Sequence, residues 1–399
     1  MEIGILTYHW VSNFGANLQA LSTYKYIENS GHNPIIINWI PEDLENSYDR
    51  MVLTCQNEIH KQFAKENFIN ITDICRNGEE IAREIEKNGI SRVLIGSDAV
   101  FTNLPKLARY RLCRRGFICI KPNSDSDFPN PFWGNFIPYL KNKIEIFAIS
   151  ASAQNMQYKK VIFKKERNGY SDALKEFTHI TVRDIWTQDM IKYMTHGEIV
   201  PNITPDPVFA FEQNVRLQSR NYVHNRLGID GQYVLFSAWD SIKDKSWIIE
   251  LEKLFEEKGI YVIGLPKTTM KKLDSPLKYN LDFPISPLDW YDSIKYSCGY
   301  IGELMHPVLV SLHNSVPIFS FDTYGFCEWG KLNVKSSKIY QILKRFNLLE
   351  NYYNKKYSRK LPSPEFVVKK INLFDKKSCS NMSMIMWNEY NEMMKKSIL

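Results

Sequence analysis

Short apolar runs alternate with amphipathic stretches along almost the whole chain. The first run, Ile3–Tyr8, predicts a strand that opens into the polar segment HWVSNFGAN. The next segment, NLQALSTYKYIENSG, has the 3.6-residue spacing of a helix and stops near Gly31, a good termination signal. Pro34–Trp39 (PIIINW) reads as a second strand. Strand, polar loop, helix, glycine and strand in this order predict a parallel βαβ unit. Residues 41–88 are charge-rich and read mostly as helix. Ser91–Ile95 is a further strand that runs into Gly96, Ser97 and Asp98. Basic charge concentrates at Arg109–Arg115. The segment KPNSDSDFPNPFW that follows cannot be a regular element, because Pro122, Pro129 and Pro131 interrupt it. A long surface loop and an ordered turn region are both open to it. Ile144–Ser150 and Phe177–Arg183 are the remaining strands of this half.

A second series begins at Gln232–Trp239. It continues through a helix at Ser246–Lys258, Gly259 and the strand IYVIGL, and repeats with IKYSCGYIG, helical ELMHPVLVSLHNS and VPIFSFD. A terminal helix is expected from about Ser380. The expectation is an α/β protein of two Rossmann-like domains facing a central cleft: residues 1–210, then 225–399, with the boundary between 205 and 230. Ligands of parallel sheets bind outside the carboxyl ends of the strands. The informative residues are therefore His9–Gln19, Gly96–Asp98, Ser150–Asn155, Arg183 and Asp184, Ser237–Asp240, and Glu303–His306.

Length supports two domains, since 399 residues exceed a comfortable single core. A net charge of +7 fits an anionic ligand, nucleic acid or an anionic membrane surface without choosing among them. The basic residues form no aromatic-interleaved stripe, which argues against a nucleic-acid binder. Seven cysteines with no CxxC pair predict reduced thiols in a cytosolic protein. The opening MEIGILTYHW has no basic residue ahead of an apolar run, so no signal peptide is expected. No apolar stretch approaches the length of a membrane span, so any membrane contact is expected to be peripheral.

Several clusters carry candidate chemistry. In SNFGANLQA, Asn13, Asn17 and Gln19 surround Gly15 ahead of a helix whose free N–H groups suit an anion or a sugar hydroxyl. A plain Asn-capped turn reads equally well. Asp98 caps the next helix or orients a substrate hydroxyl. Arg183 either clamps a phosphate or carboxylate with its planar fork or pairs structurally with Asp184. Glu303 and His306 in GELMHP are three apart at the start of a helix, so they share a face. One can serve as general acid or base while the other sets its charge state. His313 reads as a buried, hydrogen-bonded histidine. Ser150 and Ser152 bracket a loop after a strand, but no G-x-S-x-G elbow is present. There is also no dinucleotide glycine series, Walker A lysine or HExxH motif.

The segments GILTYHWVSNFGANLQALSTY, VLIGSDAVF, ITVRDIWTQDMIKYM, ITPDPVF and GYIGELMHPVLVSLHNSVPIFSFDTYG, in this order and placed after strands, resemble the polysaccharide pyruvyl transferase family. The resemblance implies a GT-B-like architecture with the active site in the interdomain cleft. It implies transfer of the pyruvyl group of phosphoenolpyruvate to two hydroxyls of a sugar, giving a cyclic pyruvate ketal and phosphate in surface or capsular polysaccharide biosynthesis. The family pattern carries over to the Asn13/Gly15 loop, the Gly96-Ser97-Asp98 turn, Arg183, Asp206-Pro207 and His306. Leu304 departs from it, because an arginine is common there. On this resemblance His306 is the candidate general acid, with Asp98 and Glu303 as candidate bases. Arg183, Ser237 and His306 are the candidate donor site. Asn13, Asn17, Gln19, Ser97 and Ser152 are the candidate acceptor site. Phosphoenolpyruvate is then the donor substrate, and neither a cofactor nor a metal is expected. The implied partner is a glycan acceptor carried on a polyprenyl diphosphate, at the inner face of the cell membrane. Two alternatives stay open: a GT-B-like sugar-nucleotide glycosyltransferase, and a noncatalytic carbohydrate-binding descendant.

Overall fold

The computed structural model describes residues 1–399 except Arg114, Arg115, Gln218, Lys271, Lys272, Tyr324, Trp329, Gly330, Val334, Lys335, Tyr357 and Arg359. The apolar runs become strands covered on both faces, which is why they read as nearly continuous hydrophobic stretches. One sheet contains β1 (Glu2–Leu6), β2 (Asn33–Ile36), β3 (Arg92–Asp98), β4 (Glu145–Ala151), β5 (His179–Val182) and β6 (Asn202–Ile203), in the order β2-β1-β3-β4-β5-β6. The other contains β7 (Gln232–Ser237), β8 (Ile260–Gly264), β9 (Tyr279–Asn280), β10 (Gly299–Gly302), β11 (Ile318–Asp322) and β12 (Tyr352–Asn354), in the order β9-β8-β7-β10-β11-β12. Every neighbouring pair in both sheets is parallel. The strand order reverses between β1 and β3 in the first sheet and between β7 and β10 in the second. Crossovers leave on opposite faces at such points and open a crevice at the strands' carboxyl ends.

The helix α1 (Phe14–Asn29) starts at Asn13, whose side chain accepts from the Ala16 amide. It is buried on nearly every side, from Phe14 through Tyr24, as expected of a helix held between two layers rather than on a surface. The Phe14 ring stacks on Trp290 of the second half, with centroids 4.9 Å apart. The charge-rich stretch 41–88 folds into helices at Glu42–Met51, Thr54–Asn67 and Gly78–Lys87.

The structure selects one of the two open readings of the proline-rich segment and corrects the terminal helix. KPNSDSDFPNPFW is an ordered turn region whose aromatic end is buried: Phe132 and Trp133 lie in the core with Phe101 and Tyr170. The Asn130 side chain accepts from the Phe132 amide and fixes that turn. The terminal helix, α5 (Lys376–Ile398), begins four residues earlier than expected, because the Asp375 carboxylate accepts from the Ser378 amide. It also does not stay with the second sheet. Its first turns meet the segment before β11, where Cys379 donates to the Leu312 carbonyl. Its last turns lie on the first sheet, where Met393 meets Ser150 and Thr181 and Arg92 donates to the Ser397 carbonyl. One apolar core consequently runs through both halves.

Within the basic stretch, Tyr110–Cys113 and Gly116–Cys119 pair as an antiparallel hairpin. Arg114 and Arg115 lie outside the described residues. Among the described residues no helix is long and apolar enough to cross a membrane.

Candidate active site

Three helix beginnings converge on the crevice: α1 with Asn13, Phe14 and Gly15; α3 (Met305–His313) with Leu304, Met305 and His306; and α4 (Lys338–Arg345) with Ser336, Ser337 and Lys338. Strand ends contribute Asp98, the last residue of β3, Arg183 after β5 and Asp322, the last of β11. The cavity between them has a volume of about 560 Å³. Free N–H groups at a helix start favour negative charge, so three of them around one cavity suit an anion.

His306 sits in the first turn of α3 and packs against Gly15. A Cβ on Gly15 would lie 2.0 Å from His306 Cγ and 2.1 Å from Nδ1. The glycine is therefore needed for close approach, not for an unusual backbone turn. His306 Nε2 is buried and has no hydrogen-bond partner among the described residues, a state that normally signals a bound group or a functional role. Burial holds the imidazole below its ordinary range, while the carboxylates of Asp98 and Asp206 act in the opposite sense. Gly15→Ala is accordingly expected to fold, since alanine favours helix, but to displace the His306 ring. Phosphate release should drop roughly 100-fold or more, in the range of a lost general acid. A melting curve and a phosphate assay on one preparation check this. A folded variant with an unchanged rate would detach Gly15 from the chemistry.

Beside His306 lies a buried charge cluster. The Arg183 guanidinium donates to Asp206 at 2.7 Å and to Asp98 at 3.1 Å, and its own side chain is 3% exposed. Asp98 adopts a left-handed backbone, φ 72°, which Asp tolerates better than most residues. Burial pushes the Asp98 carboxyl up, but Arg183, His306 and Lys338 outweigh it and hold the group below the usual carboxylate range. Burial also works against the Arg183 charge, and the carboxylates of Asp206 and Asp98 reverse it.

On the wall made by the first half, Tyr8 donates to Asp125 at 2.8 Å. Burial pushes both groups up; Asp125 adds to the shift of Tyr8, whereas the hydrogen bond from Tyr8 acts the other way on Asp125. Tyr48, Gln154 and Asn155 complete this aromatic and amide-rich surface around the Asp125 carboxyl. The wall made by the second half carries Lys267, Leu304, His306 and Lys338. Among the described residues no group of three or more His, Cys, Asp or Glu is arranged to hold a metal ion.

Residues 13–323 match the polysaccharide pyruvyl transferase family, well over half of the chain. The chain belongs to that family. As a polysaccharide pyruvyl transferase it uses phosphoenolpyruvate to form a cyclic ketal on polysaccharide. No curated protein matches the sequence. Among solved structures, the S. aureus MnaA–UDP co-structure aligns with 100% of this chain and 95% of its own, at 10% identity and a TM-score of 0.51. The UDP-GlcNAc 2-epimerase from Neisseria meningitidis bound to UDP-GlcNAc aligns over 98% of this chain and 100% of its own, at 9% identity and a TM-score of 0.49. At such identities the likeness is one of fold: the MnaA alignment agrees with the GT-B-like arrangement of two Rossmann-type parallel sheets seen in the pyruvyl transferase.

The structure brings together some of the expected site residues and separates others. His306, Asp98, Arg183, Asn13 and Glu303 line the cleft. Arg183 does not hydrogen-bond Asp184. That residue caps α2 (Ile185–Met194) through the Thr187 amide. Asp98 caps no helix; it ends β3 and pairs with Arg183. Glu303 precedes α3 instead of sharing its face, because the helix starts at Met305. Its carboxylate is already occupied by the amides of Asp240 and Ser241, the Ser241 hydroxyl and Lys267. It ties β10 to the loop after β7 and is a poor candidate base. His313 is half-buried, and its Nε2 accepts from the Glu212 amide at 3.4 Å.

Ser237 donates into or accepts from the Tyr300 hydroxyl at 2.6 Å, inside the second sheet. Asn17 donates to the His9 carbonyl and Gln19 to Asp206. Ser97 donates to the Ser150 carbonyl and Ser152 to Asp184. These five side chains are buried outside the cleft lining. The common reason is that α1 and the strand ends are interior, so their polar groups satisfy the backbone around them. Sequence reasoning missed Tyr8, Asp125 and Lys338. The first is one residue ahead of the loop scanned, and the second sits in a segment with no periodicity. The third lies in SSKIY, whose two serines before a helical run are a cap signal.

Proposed function

We propose that His306 is the general acid of pyruvyl transfer, that the second half binds phosphoenolpyruvate and that the first half binds the sugar. The observation that carries this reading is the buried, unpartnered Nε2 of His306 in a cleft with cations on one wall and sugar-type hydrogen-bonding groups on the other. In the empty cleft His306 is held low by burial, so it is neutral near pH 7. A polyanionic donor beside it stabilises the imidazolium, as any nearby negative charge does.

His306 then delivers a proton to the methylene carbon of the donor. A sugar hydroxyl bonds to the adjacent carbon and loses its proton to a carboxylate. Asp125 suits this task, because burial raises its basicity. The carbon–oxygen bond to phosphate breaks, phosphate leaves, and the second hydroxyl attacks the same carbon to close the ketal. The proton held by Asp125 passes to the departing phosphate and that of the second hydroxyl restores His306, so both groups return to their starting state and no net proton is consumed. Asp98, ionised beside His306, steadies the imidazolium.

A glycan linked to a polyprenyl diphosphate, met at the inner face of the membrane, is the acceptor this reading favours. Tyr110, Leu112 and Ile118 are all more than half exposed on the hairpin that follows Arg109, and this supports contact with an interface. The test is mass spectrometry of soluble and lipid-linked acceptors incubated with phosphoenolpyruvate. The expected product gains one pyruvyl group with loss of one water and appears with one phosphate. Release of phosphate with no mass gain on any acceptor would overturn the assignment of ketal formation to this cleft.

A further inference from the structure

Among the described residues four basic side chains line the cleft: Arg183, Lys267, His306 and Lys338. They differ in what already neutralises them. Arg183 is paired with both Asp98 and Asp206. Lys267 is paired with Asp240 and Glu303. His306 is held in its neutral form by burial. Lys338 has no ion pair and no hydrogen bond to any described residue. It is only partly exposed, in the floor of a cavity whose neighbouring position Leu304 brings no charge.

Its position is unfavourable in a second way. Lys338 is the first residue of α4, with Ser337 as N-cap accepting from the Tyr340 amide. Cations are disfavoured at a helix start, where the free N–H groups already carry positive partial charge. Ser337 also donates to Asp322 of β11, and this fixes the helix start at the cleft. An unneutralised lysine at the positive end of a helix, inside a concave site, is a cost that an anion in the cavity removes.

We infer that Lys338 is the countercharge for the phosphoenolpyruvate anion, binding it together with the amides at the start of α4. This deepens the function proposed above and rests on that reading. Phosphoenolpyruvate carries a phosphate and a carboxylate, and Arg183 has its charge committed to two carboxylates. Lys338 therefore supplies the free positive charge that the donor meets on entering the cleft. The groups facing it are Arg183, Asp98, Asp184, Asp206 and His306. Burial pushes the ammonium down, Arg183 adds to this and the three carboxylates oppose it, with the result at about 8. Asp98 and His306 are held low and Arg183 high.

The experiment is calorimetric titration of phosphoenolpyruvate into the wild type, Lys338→Met and Lys338→Arg, at pH values below and above 8, with phosphate release measured in parallel. His306 takes up a proton as the donor binds, so some pH dependence is common to all three enzymes; above pH 8 wild-type affinity should fall more steeply, by up to about tenfold more per pH unit, as the ammonium is lost. Lys338→Met should weaken binding about 10- to 100-fold at neutral pH, the range of one charge-assisted hydrogen bond. The added steepness above pH 8 should be absent from it. Lys338→Arg should keep much of the affinity and extend it above pH 8, since guanidinium stays charged.

Melting curves show whether each variant is folded, and Lys338→Met removes an unpaired charge, so it should be at least as stable as wild type. Donor affinity in folded Lys338→Met equal to wild type at all pH values overturns the inference and leaves pyruvyl transfer standing. No detectable binding of phosphoenolpyruvate by the wild type, with no ketal formed, overturns the functional reading itself and Lys338 with it.

Discussion

His306→Ala lowers phosphate release about 100- to 10,000-fold and leaves the fold intact. The size is that of removing a general acid from its transition state. Stability should change little, because His306 Nε2 has no hydrogen-bond partner to lose and the ring packs on the bare face of Gly15. The loss should fall on kcat far more than on donor affinity, since the proton is delivered only in the transition state in which the methylene carbon is protonated. His306→Gln, which can donate a hydrogen bond but not a proton at neutral pH, should be as slow as the alanine variant. Phosphate release measured at several pH values decides the point. A folded His306→Ala enzyme turning over near the wild-type rate would move the acid to another group, with Tyr8 the next in line.

Arg183→Ala has the largest expected effect on stability. Arg183 lies between Asp98 and Asp206, and removing it leaves two carboxylates in a buried site with no cation bonded to them. Breaking a buried ion pair from one side costs about 3–5 kcal/mol, mostly the penalty of the stranded charge. The pH dependence should change sign as well. In the wild type Asp98 is held below its ordinary range. Its contribution is therefore present above the unfolded carboxylate pKa and lost as pH falls through the lower folded value. In Arg183→Ala burial acts with less opposition and raises the carboxyl, so the folded state takes up protons before the unfolded one does. Mild acidification should then stabilise the variant while it leaves the wild type unchanged or weaker. Chemical denaturation at neutral and mildly acidic pH measures both. A variant within 1 kcal/mol of wild type at neutral pH, as a rough threshold, would show that the carboxylates find another partner.

The stability prediction also alters what Arg183 is for. A strand-end arginine is equally suited, by its sequence position, to clamp a substrate anion or to hold the structure together. The pairing with Asp98 and Asp206 commits it to the second task. Asp206 is 23 residues away along the chain and Asp98 is 85. No local pattern contains either distance.

The sequence by itself determined the elements and their order. Short apolar runs separated by amphipathic stretches admit few folds other than parallel sheets with crossover helices, and nine of the twelve strands lie on those runs, while the short β6, β9 and β12 carry no such signal. It also located His306, because a histidine after a strand and at a helix start is placed by local geometry alone. Tertiary structure decided which polar side chains face the cleft. Asn17, Gln19, Ser97, Ser152 and Ser237 follow strand ends just as Asn13 and Asp98 do, yet they turn inward to backbone and side-chain partners. The 3.6-residue period of α1 says which residues share a face. It does not say that a second sheet covers the opposite face and buries both.

The path of α5 has the same origin. Its periodicity marks a helix, but only the packing of Met393 on the first sheet makes it a strap across both halves. Gly15 and Lys338 make the point at the site itself. A glycine in a polar loop looks like turn chemistry, and a lysine in SSKIY looks like solvent-exposed helix. Gly15 matters because the ring of a residue 291 positions later rests on it, and Lys338 because its start of α4 is turned into a cavity with no carboxylate bonded to it. Contacts of that separation are set when two folded units close on each other, and by then the local pattern has no further say.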